Sequence, residues 1–221
     1  MQRVIQITAD GSTTIHLPEW NENYHSKHGA IQEAQHVFIK NGLNLFSEES
    51  IAILEIGFGT GLNAFITWLE RKKQFQLVDY VGVEAYPINA EEVKAMNFPA
   101  QLNASNDGAI FCQMHDLEWD KRHQLSENFK LTKRKQFIEE ICDESAFDLI
   151  YFDAFGYRVQ PELWTVEVFL SMHQALKPGG VLVTYAARGI VKRNMLTAGF
   201  TVEKLEGPPG KREMFRARKQ G

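Results

Sequence analysis

The hydrophobic and polar positions of this chain follow two periods, which predict strands and helices in alternation. Short apolar runs predict strands at Ile51–Ile56, Tyr80–Glu84, Ala109–Gln113, Phe147–Phe152 and Val181–Tyr185. Apolar residues at helical spacing predict helices at Leu62–Lys72, Ile88–Met96, Glu127–Ile141, Glu162–Lys177 and Ile190–Thr197. Apolar strands that alternate with amphipathic helices favour an α/β fold, in which a mostly parallel sheet is covered on both faces.

The two ends of the chain predict smaller elements. Alternation on either side of a turn predicts an N-terminal hairpin of Val4–Thr8 and Thr13–Leu17. Helical spacing then predicts a helix at Ala30–Lys40. Near the C-terminus, Phe200–Leu205 and Glu213–Ala217 predict a closing hairpin pair.

The composition suits one substantial domain with a small appendage. Of the 221 residues, 44% are hydrophobic, which is enough for a buried core. We expect a hairpin-and-helix extension over residues 1–45 and the main domain over residues 46–221. No apolar stretch reaches about 18 residues, so no membrane span is expected. The polar start of the chain lacks the form of a signal peptide, and we expect a cytoplasmic protein.

The cysteines and histidines indicate no metal site. Cys112 and Cys142 lie in apolar surroundings, and we expect two buried, reduced thiols. His25 and His28 are close in sequence, but no second pair of ligands accompanies them. No metal is therefore expected.

Charge is distributed unevenly around a net value of -4. Residues 192–221 carry eight basic and three acidic side chains, a balance of +5. Residues 121–135 carry six basic side chains and one acidic side chain, again a balance of +5. Two basic islands on an acidic body fit a phosphate-contacting face or ordinary solvated surface, and charge alone leaves both open.

A loop with glycine at every second position follows the first predicted strand of the main domain. Gly57, Gly59 and Gly61 lie between that strand and a helix. Alternate glycines let a backbone come close to a ligand, and the helix start offers free N–H groups. A dinucleotide-binding loop has its last two glycines three positions apart, and here every gap is two. The pattern predicts a nucleotide-type ligand other than a dinucleotide.

The acidic residue before this loop gives it a more specific resemblance. Glu55 with the three glycines resembles motif I of the class I methyltransferases, which bind S-adenosylmethionine. That resemblance implies a Rossmann-like, mostly parallel seven-stranded sheet with helices on both faces, in addition to the N-terminal extension. Glu84, 23 positions past Gly61, is then expected to bond both ribose hydroxyls of the cofactor. Asp116, after the third predicted strand, is expected to accept from the adenine amino group.

The fourth predicted strand of the main domain ends in a candidate catalytic acid. Asp153 is expected near the sulfonium, and Phe155, Tyr157 and Trp164 follow within eleven positions. Aromatic rings stack on bases, and a carboxylate orients an amine and takes up its proton. An amine-bearing, flat substrate is therefore expected. Phe155 and Trp164 also fit a purely structural role beneath the following helix.

Most of the chain, roughly residues 10–218, resembles a narrower family: the methyltransferase half of MnmC, a bifunctional bacterial tRNA-modifying enzyme, and its stand-alone relatives. The resemblance is carried by Tyr24-His25-Ser26, Gly57–Asn63, Asp153-Ala154-Phe155, Pro161–Thr165, Lys177–Gly180, Ala198–Thr201 and Gly210–Met214. It implies methylation of 5-aminomethyl(-2-thio)uridine at the tRNA wobble position to 5-methylaminomethyl(-2-thio)uridine, with S-adenosylmethionine as donor.

The same resemblance implies roles for individual residues. Asp153 aligns with the catalytic aspartate. The implied cofactor shell is Glu55, Gly57, Phe58, Gly59, Gly61, Asn63, Glu84 and Asp116. The expected substrate contacts, with the tRNA anticodon stem-loop as partner, are Phe155, Tyr157, Lys192, Arg193, Lys211 and Arg212. The flavin-dependent oxidase half of MnmC is not recognised in this sequence, so we expect a separate enzyme to supply the aminomethyl precursor.

Two other interpretations stay open from the residues alone. One is a different amine transferase: a small-molecule or protein N-methyltransferase, or an aminopropyl transferase using a related cofactor. The other is a cofactor-binding RNA partner without activity, which the intact Asp153 and the full set of carboxylates disfavour.

Overall fold

The computed structural model describes residues 2–72 and 76–221, and its centre is a mostly parallel sheet. The strands are β1 (Val4–Ile7), β2 (Thr13–Leu17), β3 (Glu22–Asn23), β4 (Ser50–Ile56), β5 (Leu77–Val83), β6 (Arg122–Ser126), β7 (Phe129–Arg134), β8 (Phe147–Phe152), β9 (Leu176–Thr184), β10 (Thr201–Glu206) and β11 (Glu213–Arg218). The helices are α1 (Ala30–Ala34), α2 (Leu62–Lys72), α3 (Ala90–Ala95), α4 (Phe98–Gln101), α5 (Gly108–Asp116), α6 (Val166–Ala175) and α7 (Gly189–Thr197). A π-helical segment, Gln35–Lys40, continues α1.

The main sheet has the order β10-β11-β9-β8-β4-β5-β7-β6 within the described residues. The five central strands, from β9 to β7, pair in parallel, while β6 and β11 pair antiparallel with their neighbours. This confirms the Rossmann-like α/β prediction, although the described sheet has eight strands where seven were predicted. The predicted closing hairpin is confirmed as β10 and β11.

Both faces of the sheet are covered, as the continuous apolar strands predicted. One hydrophobic cluster joins one face to α2 and α5, and it contains Phe65 and Phe111. A second cluster joins the other face to α6 and α7, and it contains Phe169 and Met195. Neighbouring strand residues divide between the two clusters, because successive side chains of a strand point to opposite faces.

Two predicted elements are wrong, and the burial pattern explains both errors. The predicted strand Ala109–Gln113 is the helix α5, in which Phe111 and Met114 are buried at helical spacing. The range of the predicted helix Glu127–Ile141 instead holds the turn after β6, the strand β7 and a single helical turn. In β7 every second side chain is buried, and one of these is Lys133. A buried lysine hides the two-residue period of that strand.

The N-terminal residues 2–45 pack into the same core as the sheet. The predicted hairpin is confirmed as β1 and β2, and Ile15 and Leu17 of β2 share a cluster with Phe58 of the glycine loop. The side-chain amide of Asn97 donates to the Gly11 carbonyl at 2.9 Å. These contacts fix the hairpin against the loops that follow α3.

The structure bears on the predictions about the cysteines and about a membrane span. Cys112 and Cys142 are exposed free thiols, so the prediction that they are buried is wrong. In residues 2–72 and 76–221, no helix has the length and apolarity needed to cross a membrane.

Candidate active site

A cavity of about 830 Å³ opens where the central parallel strands end. Its walls come from the residues that follow β4, β5, β7 and β8, together with the N-terminal segment around Tyr24. Ligands of open α/β sheets bind at the carboxyl ends of the strands, where the loops converge. The cavity therefore lies where the sequence predicted a ligand.

The glycine loop forms one wall of this cavity. Gly57, Gly59 and Gly61 have φ values of 88°, 49° and 71°, a region that favours glycine. At Gly57 a Cβ atom would meet the backbone oxygen of Asp153 at 2.6 Å. The loop thus packs directly against the strand end that carries the candidate catalytic acid, and its backbone faces the cavity without side chains at Gly57 and Gly59.

Glu84 lies at the end of β5 beside the loop. One of its carboxylate oxygens accepts from the backbone N–H of Gly59 at 2.9 Å. The other accepts from the backbone N–H of Tyr86 at 2.8 Å. Each oxygen of a carboxylate can accept a second hydrogen bond. The two contacts fix the carboxylate in the cavity wall and leave acceptor capacity for two hydroxyls of a ligand.

Asn63, in the first turn of α2, joins two carboxylates. Its side-chain amide donates to Glu55 Oε1 at 2.9 Å and to Asp153 Oδ2 at 2.9 Å. Glu55 is fully buried, and burial raises the pKa of its carboxyl well above the ordinary value. Glu55 is not one of the described residues that line the cavity, and it acts on the cavity through its hydrogen bond with Asn63.

Asp153 is the partly buried acid of the cavity. Burial raises its pKa to about 7, and the negative charge of Glu33 contributes to the same shift. The hydrogen bond from Asn63 and the positive charge of Lys211 lower the pKa and limit the shift. A carboxyl that titrates near neutral pH can both accept and release a proton under cellular conditions.

Aromatic side chains stand on the far side of Asp153. Phe155 packs edge-on against Trp20 at 5.6 Å and against Tyr24 at 5.1 Å between ring centroids, and all three line the cavity. Trp164 is fully buried and donates to the Phe155 carbonyl at 2.8 Å, so its role is structural. Tyr157 lies outside the described cavity lining, where the Arg188 guanidinium packs on its ring.

Lys211 lies in the site rather than on an open basic surface. Its ammonium group forms an ion pair with Glu33 Oε1 at 2.5 Å and sits 3.7 Å from the ring centroid of Tyr185. The Tyr185 hydroxyl donates to the Ala154 carbonyl at 2.8 Å. Lys211 therefore supports the surroundings of Asp153, and its contact with tRNA stays a prediction.

The other predicted basic contacts lie on two elements. Lys192 and Arg193 are in α7, and Arg193 is exposed. Arg212 is exposed in the turn between β10 and β11. Part of the positive balance of residues 121–135 is neutralised by acids outside that segment, since Arg122 pairs with Asp79 and Arg134 pairs with Asp143.

Three predicted cofactor residues do not reach the cavity wall in the described structure: Glu55, Gly61 and Asp116. Gly61 gives room to the His115 ring, which would lie 2.8 Å from a Cβ atom at this position. Asp116 was placed at adenine by a predicted strand that is in fact the helix α5, and it lies exposed at the end of that helix. The strand-end argument for a contact between Asp116 and adenine is therefore wrong.

The structure adds residues that the sequence analysis missed. The segment 136–139, directly after β7, lines the cavity at the point where a third strand end was expected. Phe137 and Tyr86 form an exposed aromatic pair there, with ring centroids 5.9 Å apart. The two-residue period of β7 was the signal that could have identified this segment.

His25 connects the N-terminal hairpin to the glycine loop. Its two ring nitrogens lie 3.1 Å from the Thr14 hydroxyl and 3.2 Å from the Thr60 hydroxyl. Burial lowers the pKa of His25 to about 4, so the ring is neutral at physiological pH. A neutral ring can donate with one nitrogen and accept with the other, which suits a bridge between two hydroxyls.

Comparisons with known proteins agree with this geometry. Residues 112–220 match a family model described as S-adenosyl-L-methionine-dependent methyltransferase. The chain is 30% identical to the tRNA 5-methylaminomethyl-2-thiouridine biosynthesis bifunctional protein MnmC of Cupriavidus metallidurans, over 99% of this chain and 35% of that protein. The chain spans about a third of the length of such curated relatives.

Solved structures share the fold. The crystal structure of MNMC2 from Aquifex aeolicus matches with a TM-score of 0.78 at 23% identity, covering 98% of this chain and 69% of that chain. A spermidine synthase matches with a TM-score of 0.54 at 13% identity, covering 94% of this chain and 70% of that chain. At these identities, likeness shows the fold alone.

The fold and the site together define an S-adenosyl-L-methionine-dependent methyltransferase. Within that class, MnmC proteins match the chain across nearly its whole length. The chain is therefore similar to the methyltransferase part of MnmC proteins.

Proposed function

We propose that this chain binds S-adenosylmethionine in the large cavity, with the methionine part against the glycine loop and the ribose hydroxyls on Glu84. The bare backbone at Gly57 and Gly59 and the spare acceptor capacity of Glu84 support this placement. The segment 136–138 after β7 is the proposed neighbour of the adenine ring, because it lines the cavity beside Glu84.

The proposed reaction is transfer of the donor's methyl group to the primary amine of 5-aminomethyl(-2-thio)uridine at the wobble position of tRNA. The observation that carries this proposal is the Asp153 carboxyl, set between the glycine loop and an aromatic wall. A flat base can stack on such a wall, and its amine can then reach the carboxylate. The likeness to MnmC, whose full name gives the product nucleoside, supports the same substrate.

The residues of this chain would act chiefly by orientation and by holding a proton. S-adenosylmethionine supplies an activated methyl group on a positively charged sulfur. Asp153 accepts a proton from the substrate ammonium and orients the resulting lone pair. Asn63 fixes the carboxylate of Asp153, and Phe155 with Tyr24 limits the orientations of the substrate base. Correct orientation of two bound reactants accounts for a large part of such a rate enhancement.

For the tRNA backbone we propose the exposed cations on α7 and in the β10–β11 turn. Arg193 and Arg212 are exposed, unlike Lys211. Charge reversal at both positions should lower tRNA affinity and reduce the slope of log K against log salt by about two, because each arginine would neutralise about one phosphate. An unchanged slope would remove these residues from the proposed tRNA surface. A separate enzyme is the proposed source of the aminomethyl precursor.

The proposal is tested with synthetic anticodon stem-loops that carry 5-aminomethyl-2-thiouridine, 5-aminomethyluridine or uridine at the wobble position. Purified protein and methyl-labelled donor are added, and nucleosides are analysed by mass spectrometry. Methyl transfer to the two aminomethyl nucleosides, and none to uridine, is expected. Transfer only to a polyamine or a protein would refute the proposal, and so would equal transfer by wild type and Asp153→Ala.

A further inference from the structure

A second, much smaller cavity also borders Asp153. Its volume is about 10 Å³, and Asp153 and Glu33 both line it, with Tyr24, His25 and Asn63 among their neighbours. A space of about 10–15 Å³ with several polar neighbours is enough for one water molecule. Both acidic residues therefore border a space that can hold one water molecule.

Glu33 has an unused acceptor in this region. The residue, in α1, is only 8% exposed, and its Oε1 atom is held by Lys211 at 2.5 Å. Its Oε2 atom is buried and has no hydrogen-bond partner within residues 2–72 and 76–221. A buried carboxylate oxygen without a partner is destabilising, so it favours the arrival of a hydrogen-bond donor.

The reaction under Proposed function leaves a proton that must depart, and the present inference rests on that function. The substrate ammonium gives one proton to the Asp153 carboxylate. A nitrogen–carbon bond to the methyl group forms, the carbon–sulfur bond breaks, and its electron pair stays on sulfur. The methylated amine is again a cation, so Asp153 retains the proton at the end of each turnover. Donor and nucleoside bound in the large cavity would block the path from Asp153 to solvent through that cavity.

We propose that Glu33 receives this proton from Asp153 through one water in the small cavity and passes it to solvent beside Lys211. Lys211 is suited to the last step, because its side chain is 31% exposed while that of Glu33 is 10% exposed. Glu33 is a proton-transfer residue in this scheme, and Lys211 positions it. The groups that face the two carboxylates from the surrounding elements are Tyr24, His25, Glu55, Asn63, Tyr185 and Lys211.

The experiment compares Glu33→Gln, Lys211→Met and Glu203→Gln in the full chain. Glu33→Gln keeps the side-chain shape and removes the proton acceptor. Lys211→Met breaks the same ion pair from the other side. Glu203→Gln is the matched control, since it removes a carboxylate from a surface ion pair with Arg216. Rates of methyl transfer are measured across pH, and the Asp153 carboxyl is titrated by ¹³C NMR, its signal identified by its loss in Asp153→Asn.

Glu33→Gln should lower kcat at least about tenfold, within the range for lost acid–base catalysis, with little change in KM for the donor. The Asp153 titration should move to lower pH in Glu33→Gln and to higher pH in Lys211→Met, because the two charges act on Asp153 in opposite directions. Glu203→Gln should match wild type. The opposite titration shifts follow from the two charges alone, so kcat tests the proton transfer itself. A structural ion pair alone would lower kcat to a similar degree in Glu33→Gln and Lys211→Met, whereas a proton relay lowers it more in Glu33→Gln.

Two results would overturn the inference: an unchanged kcat in Glu33→Gln, or an Asp153 titration that moves the same way in both variants. If Glu33→Gln does not fold, Glu33→Asp replaces it and must retain most of the rate. Failure of wild-type protein to methylate any aminomethyl nucleoside would remove the proposed function instead. In that case the NMR titration still decides whether Glu33 is coupled to Asp153.

Discussion

Replacing Asn63 by alanine should shift the pH dependence of the reaction in a calculable way. The Asn63 amide donates to Asp153 Oδ2 at 2.9 Å, and this bond is one of the influences that hold the Asp153 pKa down at about 7. A hydrogen bond to a carboxylate contributes about 1.5–3 kcal/mol, and the neutral acid keeps part of it. A difference of about 1.4 kcal/mol between the two forms corresponds to about one pKa unit.

The Asp153 carboxyl of the variant should therefore titrate about one unit higher, near pH 8. At pH 7 the ionised fraction would fall from about half to about a tenth, so kcat/KM should fall about fivefold. At pH 9 nearly all Asp153 is ionised in both proteins, and the two rates should converge. The same substitution removes the Asn63 donor from Glu55, so the fold should lose about 1–3 kcal/mol as well.

The assay is the initial rate of methyl transfer from labelled donor between pH 6 and 9.5, at a temperature where thermal melting shows the variant folded. Asn194→Ala is the control, because it removes an asparagine donor to the Trp164 carbonyl outside the cavity. Its pH profile should match wild type. An acid limb that stays in place in Asn63→Ala, or moves to lower pH, would refute the role given to the Asn63–Asp153 bond.

Four further substitutions of cavity-lining residues test other parts of the site. Asp153→Asn should abolish methyl transfer yet raise the melting temperature at pH 8. Because the folded-state pKa of Asp153 is raised, the wild-type protein loses stability as pH rises from about 4 to about 7, and asparagine does not ionise. Calorimetry at pH 3.5 should show no gain in melting temperature, because Asp153 is then protonated in the wild type as well. Gly57→Ala should weaken donor binding at least about tenfold by calorimetric titration, since φ is 88° and the new Cβ would meet backbone, and unchanged affinity would contradict the close approach. Glu84→Gln should weaken donor binding by about 1.5–3 kcal/mol, and equal affinity would remove Glu84 from the ribose site. His25→Gln should reduce the fall in the free energy of unfolding between pH 6.5 and about 4, because the buried His25 ring stays neutral over that range in the folded protein. Identical acid-unfolding curves for the variant and the wild type would show that His25 makes no such contribution.

The sequence predicted the parts of the fold whose pattern is local. The runs at β4, β5, β8 and β9 are apolar and bounded by turn residues, and the structure has strands there. The glycine loop was predictable for the same reason, because its backbone angles require glycine at fixed spacing. Glu84 and Asp153 were then placed by their positions at strand ends.

What the sequence did not predict depends on contacts between distant segments. Lys133 is buried in β7 because its ammonium donates to the His115 carbonyl at 2.5 Å and packs on the Trp119 ring, which no local pattern indicates. Because Lys133 hid the pattern of β7, the third strand was predicted at Ala109–Gln113 instead, and Asp116 was assigned to adenine from that wrong strand. Lys211 was likewise interpreted as surface charge, since its partner Glu33 lies 178 positions away.

The bridge made by His25 between Thr14 and Thr60 has a consequence for how this enzyme can be shortened or fused. A fragment reduced to the eight-stranded sheet would keep the glycine loop and Asp153 but lose Tyr24, His25 and Glu33 together. Asp153 would then be exposed to solvent at the small cavity that these residues line. A protein engineer should therefore treat the opening hairpin as an integral working part and attach any fusion partner upstream of it.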